Sequence, residues 1–375
     1  MAIDNKDKKI LNVPHLRFPE FSGEWNKYTI NDLATVVGGG TPDTTVKSYW
    51  GGDIQWFTPS EIGKNKYVDF SKRTITRDGL DNSSAKLLPL HTILLSSRAT
   101  VGECSIASNE CTTNQGFQSL IAKQCNIDFL YYLIQTKKKD LIRNACGSTF
   151  LEISANEIRK IKVAVPVQNE QEQIAKLLSL IDERIATQNK IIEKLQSLIK
   201  GLAAQLTQSG TPNIRLCDCL ECHSSTLQEN CVSVTGSYPV YGATGLIGYT
   251  NNYAYNGESI LIVKDGSGVG SLSYVNDHFS VIGTLNYLTA KENYSILYLY
   301  YALMAFNFTP YITGMAIPHI YFKDYGKAKL FYPSIEKRIR IASLLHNIEQ
   351  KLVVEQNLVI SLSAQKSYLL RMLFI

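Results

Sequence analysis

Charge is sparse in this chain: Asp, Glu, Lys and Arg make up 19 % of 375 residues, against 45 % hydrophobic ones. That balance excludes an extended disordered polymer and suits two or three domains that each bury a core. Long apolar runs are missing, so no segment reads as a membrane span. Residues 1–10 lack the apolar core of a secretion leader, which sets the expectation of a cytoplasmic protein. No Pro-Pro pair occurs, and with it the Asn/Asp-Pro-Pro-aromatic motif that holds a flipped base in amino-group DNA methylation is absent. A Gly-x-x-x-x-Gly-Lys-Ser/Thr phosphate loop is also lacking, which excludes an ordinary ATP motor. The glycine-rich stretch from Gly266 to Gly270 comes nearest to one, but no convincing crossover helix follows it, so it reads as a turn between strands. Cysteine is scarce, at eight residues. Cys219-Leu220-Glu221-Cys222-His223 spells a haem-attachment pattern, and Cys217 and Cys231 nearby hint at zinc, yet the matching stretch of the first half, 31–37, has no cysteine. Buried free thiols are the preferred reading, with no metal and no cofactor in the chain itself.

What is present is a repeat. A shift of 167 residues lays Gly147 on Gly314, Ile153 on Ile320, Lys160 on Lys327, Lys162 on Lys329 and Pro166 on Pro333 without a gap. Each half starts with β-rich runs (92–95 and 117–122; 259–263 and 285–289) between Gly- and Asn-rich turns. A helix-like run then follows, 128–143 in one half and 294–307 in the other. Each half ends in a heptad seam, through Ile174, Leu178, Ile181, Ile185, Gln188, Ile192, Leu195, Ile199, Leu202 and Leu206, and again from Ile341 to Leu373. A helix over 169–208 would be about 60 Å long at 1.5 Å per residue. The first such helix carries the chain away from domain one, so a second packed beside it must run back, and the pair is expected to be antiparallel. Gln188 and Glu355 hold the same seam position in their repeats and are expected to meet, amide to carboxylate, near its middle.

The fold class expected is therefore α+β: two mixed α/β domains related by an internal repeat and held by two long antiparallel helices. The expected boundaries are 1–165 for an N-terminal arm and first domain, 166–208 for a central spacer helix, 209–332 for the second domain and 333–375 for a C-terminal spacer helix.

Several motifs carry a resemblance. In the first half they are Leu16-Arg17-Phe18-Pro19-Glu20-Phe21, Gly39-Gly40-Thr41-Pro42 and the run from Tyr49 to Trp56. In the second they are the run from Gly236 to Gly245, Gly248-Tyr249, and Ile260-Leu261-Ile262 leading to Gly266 and Gly270, with helix openings at Pro166 and Pro333. In this order, and with the repeat, the sequence resembles the specificity subunit of type I restriction-modification systems over essentially its whole length. The resemblance implies two target recognition domains, each reading half of a split site on double-stranded DNA, and helices that bind two methyltransferase (modification) subunits. Restriction/translocase subunits complete such a complex, and S-adenosylmethionine, ATP and Mg2+ are expected on those partners. It implies a non-catalytic chain active in DNA methylation and bacterial defence. The second helix opening departs from the first, lacking the Glu172-Gln173 pair.

A net charge of +5 permits an acidic partner without requiring one. DNA contact needs donors on turns that can reach base edges. In the first half the candidates are Lys47, Ser48, Tyr49, Lys64, Lys66, Lys72, Arg73, Arg98, Thr100, Asn114, Gln115, Lys137, Lys138 and Lys139. In the second they are Tyr241, Lys264, Ser267, His319, Tyr321 and Lys323. Arg98, Asn114 and Gln115 stand out, because they follow predicted strands and carry the bidentate chemistry that reads guanine or adenine. Fifteen of the 21 tyrosines lie between Tyr238 and Tyr332, where some suit a wet interface and many suit a core. The rival reading is a coiled-coil adaptor that binds only protein partners.

Overall fold

The computed structural model describes residues 12–147 and 151–375. The leader question raised by residues 1–10 lies outside them. The chain divides into two compact units, Met1–Thr187 with Leu358–Ile375, and Gln188–Asn357.

In the first unit a five-stranded sheet runs in the order Ala34–Gly38, Gln118–Ala122, Ile93–Leu95, Cys104–Ala107, Tyr67–Val68. A three-stranded sheet of Arg73–Ile75, Trp50–Phe57 and Cys111–Thr113 accompanies it. Asn26–Thr29 pairs antiparallel with Lys162–Val165, so the chain leaves its first domain beside the point where it entered. The helical run expected at 128–143 is two helices, Ile127–Thr136 and Lys138–Arg143. The break falls beside Thr136, whose hydroxyl donates back to the Leu133 carbonyl (2.7 Å). The second unit holds a six-stranded sheet in the order Leu220–Ser224, Leu285–Ala290, Tyr255–Val263, Leu272–Val281, Tyr238–Gly242, Gly245–Thr250. Its helix, Ile296–Met304, starts at Ser295, whose hydroxyl accepts from the Tyr298 N–H. Ile214–Arg215 pairs antiparallel with Lys329–Leu330, as its counterpart does in the first unit.

The heptad seams form helices Gln168–Thr207 and Ile335–Leu373. In the first unit Ile174, Leu178 and Ile181 join Leu369, Leu373 and Phe374 in one buried cluster with Trp25 and Phe129. Trp25 donates its indole N–H to Glu170 Oε1 (3.2 Å) at the start of the first long helix, and its ring meets Phe374 (centroids 6.3 Å apart) past the end of the second. Further along, Asp182 pairs with Lys366 at 2.7 Å. Rising numbers on one helix meet falling numbers on the other, so the helices are antiparallel. In the second unit Ala203 packs in the same buried cluster as Ile341, Ala342 and Leu345, and Lys337 Nζ donates to Ser209 Oγ (3.1 Å).

Each unit fastens its own domain to a long helix through tyrosine and carboxylate. Tyr132 donates to Asp182 (2.7 Å), while in the second unit Tyr301 and Tyr300 donate to the two oxygens of Glu349 (2.7 and 2.9 Å). Glu349 stands 167 positions after Asp182, so the clamp is part of the repeat.

The expected pairing of Gln188 with Glu355 does not form. Both are buried, at 2 % and 6 % exposure, but among the described residues Gln188 Oε1 has no partner, and Glu355 is ion-paired with Lys351. The reason is local: Lys351 lies one turn earlier on the same helix and reaches the carboxylate without help from across the seam.

Candidate nucleic-acid interface

In the first unit the strand Ile93–Leu95 ends in a tight turn, closed by Ser96 N–H donating to the Glu103 carbonyl (2.8 Å) and Gly102 N–H to that of Ser96 (3.0 Å). Two other segments are laced to it. Ser97 N–H donates to the Gly116 carbonyl (2.9 Å), Ile153 N–H to that of Ser97 (2.9 Å) and Ala99 N–H to that of Leu151 (3.3 Å). Cys146 and Glu152 exchange backbone hydrogen bonds (2.9 Å each), an antiparallel bridge beside the turn. Ala99 sits at φ 65°, a left-handed conformation that a non-glycine residue holds only where its surroundings enforce it.

The lacing creates a hollow of about 310 Å³ lined by Pro59, Arg98, Ala99, Asn114, Gln115 and Gly116. It brings Arg98, Asn114 and Gln115 together. The Arg98 guanidinium is about half exposed, and its Nε lies 3.7 Å from Glu152 Oε2, an ion pair too long to be a hydrogen bond. Asn114 Oδ1 accepts from Gly116 N–H (2.9 Å), which fixes the amide while leaving its NH2 without a partner among the described residues. Gln115 Oε1 accepts from Thr41 Oγ1, so the Gly39-Gly40-Thr41-Pro42 motif ends at the hollow. Its glycines are required by close approach: a Cβ on Gly39 would stand 2.0 Å from the Asn114 carbonyl oxygen. Thr100, in the same turn, is exposed, with its hydroxyl 3.0 Å from Ser96 Oγ.

The second unit repeats this framework bond by bond. Val263 N–H donates to the Ser271 carbonyl (3.0 Å) and Gly270 N–H to that of Val263 (2.8 Å), closing the turn after the strand Tyr255–Val263. Lys264 N–H donates to the Thr284 carbonyl (3.0 Å), Ile320 N–H to that of Lys264 (3.0 Å) and Gly266 N–H to that of Pro318 (2.9 Å). Thr313 and His319 exchange backbone bonds as Cys146 and Glu152 do. Gly266, at φ 98°, takes the place of Ala99. The side chains differ. Asp265 stands where Arg98 does, His319 where Glu152 does, Lys264 where Ser97 does and Ser267 where Thr100 does. Ile282 and Gly283 take the places of Asn114 and Gln115, so this tip carries no amide pair. Lys264 Nζ lies 3.6 Å from Asp265 Oδ2, and His319 Nδ1 lies 3.2 Å from the Ile317 carbonyl. Tyr321 stands beside the His319 ring (centroids 5.0 Å) with Lys323 Nζ 5.1 Å from its own ring centre.

The other candidates scatter. Lys47 and Ser48 are exposed and Tyr49 half-buried on a 3-10 turn, and Lys64 and Lys72 are exposed. Arg73 is exposed and stacks on Trp50 (3.6 Å from its ring centre), which joins it to the Tyr49 to Trp56 motif. Lys66 is not available to a ligand: its side chain is 8 % exposed, and its ammonium lies 2.7 Å from Asp128 and 2.6 Å from Ser179 Oγ of the first long helix. The run from Lys137 to Lys139 does not act as one patch. Lys137 donates to the Ile375 carbonyl (2.7 Å), with burial holding its ammonium below the usual lysine range. Lys138 pairs with Glu103, and Lys139 alone is exposed without a partner among the described residues. Tyr241 is half-buried against Phe279, and burial raises its hydroxyl. Of the tyrosines in the second unit, Tyr298, Tyr301 and Tyr325 are fully buried core. Among the described residues no cluster of His, Cys, Asp and Glu could hold a metal; Cys219 and Cys222 are free, their thiols pushed up to about 12 and about 11 by burial. Asp265 is not among the basic candidates, although the repeat aligns it with Arg98.

The family model for the type I restriction modification DNA specificity domain matches twice, at residues 22–197 and 214–362. The chain belongs to this family. A type I restriction enzyme specificity subunit (MjaIX) of Methanocaldococcus jannaschii is 39 % identical over 183 residues, 46 % of this chain and 42 % of that one. The chain thus spans less than half the length of that relative in the match. The EcoprrI specificity subunit of Escherichia coli is 25 % identical over 361 residues, covering 87 % of each. Among solved structures, a type I restriction-modification S subunit from M. genitalium shares the fold with a TM-score of 0.65 at 19 % identity, over 97 % of this chain and 99 % of that one. The reading as an adaptor that binds only proteins finds no support in these likenesses, and among the described residues no helix is long and apolar enough to cross a membrane.

Proposed function

We propose that this chain is the non-catalytic DNA-recognition subunit of a type I restriction-modification complex. Residues 1–165 read one half of a split site and residues 209–332 the other, while the helices of 166–208 and 333–375 dock two modification subunits. Restriction/translocase subunits complete the assembly, and S-adenosylmethionine, ATP and Mg2+ are held by those partners. The observation that carries this reading is the duplicated turn: one hydrogen-bonded framework, built twice with different side chains, suits two half-sites of different sequence. The long helices also expose apolar side chains, Leu180 on the first and Ile335, Ile339, Val354 and Ile360 on the second, as surfaces that a partner covers do. The curated relatives named above are specificity subunits, which supports the same role.

The test is an exchange of residues 213–332 for those of another specificity subunit, with methylated adenines then mapped in the host genome by single-molecule sequencing. One half-site should change while the other and the spacer persist. A change in both halves together contradicts the modular reading.

A further inference from the structure

We propose that Asp265 is a base-reading residue of the second unit, accepting a hydrogen bond from the exocyclic amino group of a cytosine or adenine in the major groove. The inference rests on the recognition role above and assigns chemistry within it. Asp265 occupies the place of Arg98 on a framework whose backbone bonds match in register: Ala99 N–H to Leu151 becomes Gly266 N–H to Pro318, and Ile153 N–H to Ser97 becomes Ile320 N–H to Lys264. Whatever surface the first turn presents to DNA, the second therefore presents from the same backbone position.

The inverted charge then separates two uses of such a turn. A seat for phosphate would need a donor or a cation in both copies, because a carboxylate beside a phosphate is repelled. Arginine at one copy and aspartate at the other instead match two different base edges. Arginine donates to guanine O6 and N7; a carboxylate only accepts, and the amino donors of the major groove are cytosine N4 and adenine N6. The Asp265 carboxylate is open for this. Its side chain is 38 % exposed, and among the described residues it accepts no hydrogen bond, its one charged neighbour being Lys264 at 3.6 Å. That ammonium offsets the repulsion Asp265 would feel from the DNA backbone. His319, held by its own backbone bonds to Thr313, flanks Asp265 as Glu152 flanks Arg98.

The experiment uses the full chain assembled with its modification subunits and a pool of DNA duplexes with a randomised central segment. Bound duplexes are sequenced for wild type, Asp265→Asn, Asp265→Arg and Arg98→Ala. Wild type should enrich a bipartite sequence. Asp265→Asn should change discrimination about tenfold at one position of one half-site only, as a loss where that base is cytosine and as a gain where it is adenine, whose N6 and N7 an amide pairs with. Asp265→Arg should shift that position toward guanine, and Arg98→Ala should relax the opposite half. Because the Asp265 side chain makes no hydrogen bond among the described residues, Asp265→Asn should keep the wild-type unfolding midpoint. Unchanged preference at every position in both Asp265 variants overturns the assignment, as does an equal loss on all duplexes. If wild type enriches no bipartite sequence, the recognition role itself fails.

Discussion

Arg17 to Met is the perturbation whose size the structure sets most directly. Arg17 Nε and Nη2 donate to the two oxygens of Glu170 at 2.7 Å each, and the Glu170 side chain has no exposed surface. Among the described residues the remaining donor to that carboxylate is the Trp25 indole at 3.2 Å. Methionine keeps much of the apolar stem but leaves a buried charge with a single neutral donor. Breaking a buried ion pair from one side costs about 3 to 5 kcal/mol. Glu170→Gln is milder. It keeps an acceptor for Trp25, and Arg17 retains the Gly23 and Ser22 carbonyls (2.5 and 3.2 Å), so a loss of about 1.5 to 3 kcal/mol is expected. For a unit of this size, 3 to 5 kcal/mol lowers the melting temperature by roughly 6 to 20 °C. Calorimetry, with hydrogen exchange to assign the transition to the first unit, measures the effect. The double variant Arg17→Met with Glu170→Leu should recover part of the loss, because it leaves no stranded charge. If Arg17→Met costs less than about 1 kcal/mol, or the two positions show no coupling, the pair does not hold the N-terminal arm to the helix.

Other outcomes follow from the same accounting. Tyr301→Phe should destabilise the second unit by about 1.5 to 3 kcal/mol and more than Tyr132→Phe destabilises the first, because Asp182 keeps Lys366 at 2.7 Å whereas Glu349 has no ion pair among the described residues; chemical denaturation of the two variants compares them. Gln188→Leu should hold or raise thermal stability, since it removes a buried amide oxygen that has no partner among the described residues, and a loss above about 1 kcal/mol would show a hidden partner. Lys139→Ala should weaken binding to all duplexes alike and lower the salt slope by about 1, whereas Lys138→Met should act on stability through Glu103; filter binding across a salt series separates the two.

The repeat was legible because its markers are backbone requirements. Gly147 and Gly314 align at a fixed shift, as do the prolines that precede each long helix, and the spacing survives wherever the hydrogen bonds it serves survive. The seams were legible because a stripe at heptad spacing has one economical use, and Ile174, Leu178 and Ile181 are buried. Arg17 stands in a motif that carries the family resemblance and Glu170 lies four residues after Pro166, yet nothing local links residues 153 positions apart. Lys66 and Lys138 look like solvent-facing donors for the same reason. Their carboxylate partners, Asp128 and Glu103, arrive through tertiary packing that no window of sequence contains.

Asp265 marks a different limit. The information was present, since the shift that pairs Gly147 with Gly314 pairs Arg98 with Asp265. A search for positive charge passes over a carboxylate because the dominant sequence-independent attraction to DNA is cationic. Discrimination among bases obeys another rule: donors and acceptors on the protein must complement those on the base edge, and half the useful chemistry is acceptance. Two half-sites read from one backbone plan can differ only through side chains at matched positions. Inverted charge on a preserved framework is therefore the stronger pointer to readout than a lysine run, and the Lys137 to Lys139 run, of which Lys137 and Lys138 are drawn off to Ile375 and Glu103, illustrates the contrast.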